Sequence, residues 1–220
     1  MIARQLITDG IMPLKTSDTG KTALSWMDEY KVSHLPIVND RKLLGLISEL
    51  DIYDLNRFDE ALGNHKLHLI HPYVNEDQHI YDVMKLVYEQ HLTVVPVLNR
   101  QEDYLGCITI VNLIKYFAKS LSIDNPGGII VLEMTYNDYS LTEIAKIVEE
   151  NDAKILSTFI VNHENSTRMD VFLKINKLEM DAILRTFERY QYFVKGSFHE
   201  NSDMDDIQDR YNSLMNYLNV

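Results

Sequence analysis

Residues 45–51 read Gly-Leu-Ile-Ser-Glu-Leu-Asp, and residues 106–112 read Gly-Cys-Ile-Thr-Ile-Val-Asn. Each stretch opens on a glycine inside an apolar run. Each closes on a hydroxyl residue followed three places later by Asp or Asn. The spacing predicts a strand that ends at Ser48 or Thr109 and passes directly into a helix. Upstream, Pro36 of HLPIVND (34–40) matches Pro96 of VVPVLNR (94–100) at an offset of 60. At that offset Ala23 meets Val83, Met27 meets Val87 and Glu29 meets Glu89, while Tyr30 meets Gln90. One extra residue in QEDYL (101–105), against RKLL (41–44), moves the offset to 61. The chain therefore carries two copies of one plan, about 1–62 and 63–122. In each copy an amphipathic helix leads to a strand, a polar turn, a second strand and a second helix.

The strings HLPIVND–KLLGLISELDIYDL and TVVPVLNR–YLGCITIVNLIKYF resemble paired cystathionine-β-synthase (CBS) domains, which together form a Bateman module. The resemblance covers residues 1–122. It implies two three-stranded sheets paired with helices, and an adenine nucleotide or adenosyl effector bound in the clefts of the pair. The implied ligand-binding residues are Ser48 and Asp51 in the first copy and Thr109 and Asn112 in the second, with His34, Pro36 and Pro96 on the strands beside them. No cofactor is required by this reading. The effector would be AMP, ADP, ATP or S-adenosylmethionine.

The residue chemistry is compatible with that role. Gly45 and Gly106 let a ligand or another strand approach the backbone. A hydroxyl beside free backbone N–H groups at a helix start suits a phosphate oxygen. Asp51, an acceptor only when ionised, suits the two hydroxyls of a ribose, and Asn112 can accept as well as donate. The same pattern is also a helix cap: Ser48 caps and Asp51 favours the positive helix end. Glu49 and Asp51 place two acids in the first cleft, where Lys15, Arg41 and Lys42 offset them only by folding inward. The second cleft has no acid and has Lys115 one turn on. The first then suits a nucleoside or low-charge adenosyl ligand, and the second a phosphate.

Residues 123–128, IDNPGG, end this region. Beyond them the pattern predicts strand (Ile129 to Met134), helix (Leu141 to Glu150), strand (Lys154 to Asn162), strand (Met169 to Ile175), helix (Leu178 to Arg189) and strand (Tyr192 to Phe198). Ser140 and Glu143 form a capping-box pattern. This βαββαβ order is the ferredoxin-like plan. It resembles an ACT domain, placed at 127–198, although Asp138 lacks the glycine that usually follows it and Asp152-Ala153 replaces the usual Gly-Ala. Both departures weigh against a bound amino acid. The combination resembles the bacterial acetoin-utilisation regulatory protein family. The tail, 199–220, spaces Met204, Ile207, Tyr211, Leu214 and Leu218 as an apolar helical seam. The expected fold class is α+β: a CBS pair, a ferredoxin-like domain and a C-terminal helix.

Composition narrows the function. The net charge is −12 over 220 residues. Residues 1–126 hold 12 basic and 17 acidic side chains, and the remainder 9 and 16, so neither half offers a platform for nucleic acid. No apolar run reaches the roughly 20 residues of a membrane span. A lone cysteine, Cys107, and the absence of a signal-peptide pattern point to the cytoplasm. Cys107, between apolar neighbours, reads as a buried small side chain. His65, His68 and His71 read as a linker strand rather than a metal site, with Gly63-Asn64 and Pro72 bracketing them. Enzyme motifs are absent. The sequence thus points to a non-enzymatic, homodimeric regulatory sensor with an unknown protein partner. Its alternative is a constitutive dimerisation scaffold with empty clefts.

Overall fold

The computed structural model describes residues 1–55 and 57–199. The chain divides into two compact units, Met1–Tyr116 and Phe117 onward.

In the first unit, α1 (Gly20–Tyr30) starts at Thr19, whose hydroxyl accepts the Thr22 N–H. It stops at Lys31, a left-handed residue. The hairpin of β1 (His34–Asn39) and β2 (Lys42–Ser48) follows, turned by Asp40 and Arg41, both at positive φ. A turn with both residues in that region matches the twist of the two strands. A short helix, α2 (Glu49–Tyr53), closes the repeat. The second repeat runs β3 (Val74–Asn75), α3 (Ile80–Gln90), β4 (Val94–Leu98), β5 (Tyr104–Thr109) and α4 (Ile110–Ser120). Here β3 lies parallel to β4, and β5 antiparallel to it. Leu14 makes the equivalent parallel bridge to Ile37 in the first repeat. His91 ends α3 in the left-handed conformation that Lys31 adopts at the end of α1. Both repeats share one core, in which Ala23, Met27, Ile37 and Ile47 meet Val83, Val97 and Ile108.

Two segments hold the repeats together by reciprocal exchange. The stretch before the second repeat crosses the first: the Leu46 N–H donates to the Ile70 carbonyl at 2.8 Å. The N-terminal stretch crosses the second: the Thr8 N–H donates to the Cys107 carbonyl at 2.8 Å. Each crossing runs against a glycine. A Cβ on Gly45 would lie 2.7 Å from the Ile70 oxygen, and one on Gly106 would lie 2.6 Å from Ile7 Cγ2. The glycines singled out in the sequence therefore admit neighbouring chain.

The second unit runs β6 (Ile129–Thr135), α5 (Leu141–Glu150), β7 (Ile155–Asn162), β8 (Arg168–Ile175), α6 (Asp181–Arg189) and β9 (Phe193–Phe198). Its four strands stand in the order β7-β8-β6-β9, each neighbour antiparallel. Ile130, Leu132, Val171 and Leu173 face Ile144, Val148, Ile183 and Phe187 of the helices. Helix α6 begins three residues later than the periodicity predicts. The Gly128 N–H holds the Lys177 carbonyl, and Met180 is buried in the core, so residues 178–180 enter as an irregular segment. The apolar seam expected in the tail lies outside the described residues.

Candidate ligand clefts

The two motif ends fold alike. Ser48 is the N-cap of α2: its hydroxyl accepts the Asp51 N–H at 3.1 Å and donates to Asp51 Oδ2 at 2.5 Å. The Ser48 N–H donates to the same carboxylate oxygen at 2.9 Å. In the second repeat the Thr109 hydroxyl accepts the Asn112 N–H at 3.1 Å. The first N–H of each motif helix is also occupied. Glu49 N–H donates to the Ser33 carbonyl and Ile110 N–H to the Thr93 carbonyl. The free backbone donors expected beside the hydroxyls are thus largely used by the protein itself.

The copies differ in what covers them. Thr109 is buried and shares hydrogen bonds with Thr8, whose hydroxyl lies 3.3 Å from its own and accepts its N–H. Asn112 Nδ2 donates to the Leu6 carbonyl at 2.9 Å. This contact fixes which end of the amide faces inward and leaves Oδ1 as the acceptor. Two of the three cations expected to offset Glu49 and Asp51 pair elsewhere. Lys42 Nζ lies 3.1 Å from Asp103 Oδ1, and Arg41 pairs with the same carboxylate at 3.8 Å. Glu49 and Asp51 remain the two acids of the first turn of α2.

His34 sits where the repeats meet. The Thr93 hydroxyl accepts the Ser33 N–H at 3.0 Å and lies 3.1 Å from His34 Nδ1. The Thr93 N–H also points at Nδ1, at 3.4 Å. With its own proton the Thr93 hydroxyl then donates to Nδ1, so the imidazole carries its hydrogen on Nε2. Burial lowers the His34 pKa, and the Asp51 charge opposes that only in part. Pro36 and Pro96 occupy matching places in β1 and β4, paired with Leu46 and Cys107. Thr93 and Thr8 were not singled out in the sequence. The repeat alignment contains a signal for Thr93, because Ser33 occupies the same place 60 residues earlier.

Other groups resolve as inert or structural. Burial pushes the Cys107 thiol up to about 11, with a weaker opposing contact from Tyr104, so it stays protonated. Residues 66–69 belong to no helix, and Ile70 makes an isolated bridge to Leu46. Among the described residues, the grouping with metal-compatible spacing is Glu133, His163 and Asp170, and the three linker histidines form none. That grouping already holds cations. Lys195 Nζ lies 2.6 Å from Asp170 Oδ2, Arg168 pairs with Glu133, and His163 Nε2 lies 3.0 Å from Asp170 Oδ1.

In the second unit a cavity of about 940 Å³ is lined by Thr135, Asp138, Glu143, Arg168 and Tyr192. Ser140 caps α5, but the Glu143 carboxylate does not close the predicted box; it accepts from the Tyr192 hydroxyl at 2.6 Å. Asp138 accepts from the Thr135 hydroxyl at 2.6 Å.

Two strand–helix repeats exchange segments around a shared core, so the first unit is a pair of like-folded repeats. Residues 3–56 and 70–119 each match the family model described as CBS domain, so the chain carries a tandem CBS-domain pair. CBS pairs are in general regulatory and nucleotide-sensing rather than catalytic. Solved structures similar to the chain include a CBS domain pair/ACT domain protein from Thermotoga maritima, at 20% identity and TM-score 0.49, covering 55% of this chain and 99% of that one. Another is CBSX2 in complex with AMP, at 20% identity and TM-score 0.47, covering 54% and 96%. A third is Hypoxic Response Protein I with two coordinated zinc ions, at 22% identity and TM-score 0.45, covering 53% and 98%. No helix among the described residues is long and apolar enough to cross a membrane.

Proposed function

We propose that the protein is a non-enzymatic regulatory sensor that binds an adenosyl ligand, such as AMP, ADP, ATP or S-adenosylmethionine, in its CBS clefts. The observation that carries this reading is the doubled match to the CBS model, with a hydroxyl-x-x-Asp/Asn end at the strand–helix junction of each copy. In the second cleft Asn112 Oδ1 would accept from a ribose hydroxyl, and no acid stands in the first turn of α4 to oppose a phosphate. In the first cleft Glu49 and Asp51 favour a nucleoside or a cationic adenosyl ligand. Binding would bias the arrangement of subunits, which requires different affinities in two states.

The second unit is read as a ferredoxin-like, ACT-like domain over 127–198. The βαββαβ order and the strand order β7-β8-β6-β9 support it. Its role would be pairing and transmission in a cytoplasmic homodimer. The one basic residue of its cavity, Arg168, is tied to Glu133, so a free amino acid's carboxylate finds no open cation there. Exposed apolar residues on the motif helices, Leu50 and Tyr53 in α2 and Val111 and Ile114 in α4, suit a subunit contact. The protein partner, and the resemblance to the acetoin-utilisation regulatory proteins, belong to the same proposal.

A second reading is a constitutive scaffold with empty clefts. It is favoured by the closed Ser48–Asp51 pair and the Asn112–Leu6 bond, which satisfy these groups without a ligand. Thermal-shift and calorimetric titration of ligand-free protein with adenosine, AMP, ATP and S-adenosylmethionine separate the two. A native-state ligand at a hundred times its Kd adds about 2.7 kcal/mol. No shift and no heat with any of the four would leave the scaffold.

A further inference from the structure

The four-stranded sheet of the second unit packs one face on α5 and α6, and among the described residues the other face stays largely uncovered. Cross-strand register sets two neighbouring rows on that open face. One runs Ser157, Lys174, Ile129, Phe198; the next runs Phe159, Phe172, Val131, Gly196. Phe159 and Phe172 stack with centroids 4.4 Å apart. Gly196 contributes no side chain beside Val131, and the two rows line a trough of about 600 Å³. The Ser157 hydroxyl donates to the Leu121 carbonyl at 2.7 Å, which ties the stretch bearing Ile123 to the sheet as a wall. The apolar members stay exposed: Phe198 by 59%, Ile123 by 57% and Phe159 by 43%.

Lys174 decides what such a trough can hold. An ammonium has three protons to donate. One goes to the Gly127 carbonyl at 3.0 Å, and Lys174 has no carboxylate partner among the described residues. No acid stands among the described residues that line the trough. On the same strand Asp170 lies four residues away, about 14 Å, which exceeds the screening length of about 8 Å at physiological salt. It is moreover held by Lys195 at 2.6 Å. An apolar molecule lying on the phenylalanine rings would cover the Lys174 charge. That is costly unless a counter-charge arrives with it. A carboxylate on the ligand supplies one, a hydroxyl does not, and an amine repels. Size fits a small molecule: the volume falls in the usual range of ligand sites, and four strands are about 14 Å across. A second copy of this face fits less well. It would bring another Lys174, while its Glu133 and Asp170 are already held by Arg168 and Lys195.

We propose that the open-face trough binds an apolar monocarboxylate of medium-chain fatty-acid size, its carboxylate on Lys174 and its chain over Phe159, Phe172 and Val131. The site lies in the second unit and does not depend on what the CBS clefts bind. The test titrates octanoate into the full chain by calorimetry, with octanol and octylamine as controls of equal length. Octanoate should bind about tenfold or more tighter than either control. Lys174→Met should erase that margin and leave octanol binding as it was, while Lys174→Arg should keep it. An unchanged circular dichroism spectrum for Lys174→Met separates lost binding from lost folding. In methyl spectra octanoate should shift Ile129 and Val131, and far less Ile130 and Leu132, which belong to the core under α5 and α6. Equal binding of the three probes, a margin that survives Lys174→Met, shifts confined to the CBS pair, or no binding overturns the proposal. Sedimentation at rising protein concentration tests the competing occupant. Self-association that displaces octanoate in step assigns the trough to a second copy and overturns the proposal too.

Discussion

Replacing Gly45 or Gly106 by alanine should destabilise the CBS pair, and by unequal amounts. Both residues have positive φ, +146° and +149°, where an L side chain is strained by about 1–3 kcal/mol. The second cost is steric, and here the repeats differ. At Gly45 the new methyl meets the Ile70 carbonyl oxygen at 2.7 Å, along with Leu69 Cβ at 2.7 Å. That carbonyl accepts the Leu46 N–H, so it cannot retreat without loosening a bond worth about 0.5–1.5 kcal/mol. At Gly106 the methyl meets Ile7 Cγ2, the end of a side chain that can rotate aside. Overpacking of about 1–3 kcal/mol falls in full on the first site and only in part on the second. The expected losses are about 4 kcal/mol for Gly45→Ala and about 2 kcal/mol for Gly106→Ala. Urea unfolding followed by the fluorescence of Trp26, the single tryptophan and a residue packed on the CBS core, reads both. A double-mutant cycle adds a second check: Ile7→Ala should relieve Gly106→Ala by about 1 kcal/mol and leave Gly45→Ala unrelieved. Equal losses at the two glycines, or strict additivity of Ile7→Ala with Gly106→Ala, would refute the reasoning.

Further perturbations test the clefts and the open face. Ser48→Ala removes a helix cap and should cost about 1 kcal/mol in the same urea assay, whether or not a ligand binds; no loss would contradict the capping geometry. His34 has a lowered pKa, so its contribution to stability is complete above about 6.5 and is lost as pH falls from there through the depressed value. His34→Asn should therefore flatten the stability profile in that window, and an unchanged slope would count against the buried neutral imidazole. Burial raises the Asp170 carboxyl, but hydrogen bonds from Lys195 and His163 outweigh it and the net shift is downward. Asp170 then stabilises the fold above the ordinary carboxylate range and ceases to as pH falls through its lowered value. Lys195→Met should destabilise the fold modestly near neutrality, because the lysine is exposed and its pair with Asp170 is screened by solvent. It should also move acid unfolding, read by circular dichroism, to higher pH; an unmoved midpoint would rule out the ion pair as its cause.

Local chemistry made much of this legible. The hydroxyl-x-x-acid string at 48–51 is a helix cap, and α2 starts there. Ser140 and the stripe Leu141, Ile144, Ala145, Val148 set α5 at Leu141–Glu150, as periodicity predicts. What stayed hidden depends on partners distant in sequence. Nothing in Leu6-Ile7-Thr8 announces that it will lie on Gly106 and Thr109, because a segment pairing across a hundred residues leaves no local period. The late start of α6 has the same origin, since it is imposed by the contact between Gly128 and Lys177. Arg41 and Lys42, read as possible neutralisers of the first cleft, are claimed by Asp103 in the other repeat.

The reciprocal crossing of the two repeats also sets an order of events during synthesis. Thr8 and Thr109 are 101 residues apart, so at about 5–20 residues per second the N-terminal stretch waits about 5–20 s for its partner to be made. The first repeat is meanwhile missing the segment that covers Gly45 until Leu69–His71 emerge. Neither repeat can therefore be finished on the ribosome as an independent unit. The nascent chain presents Leu6 and Ile7 to its surroundings until the second repeat closes over them, and a neighbouring nascent copy offers the same glycine groove for them to enter by mistake.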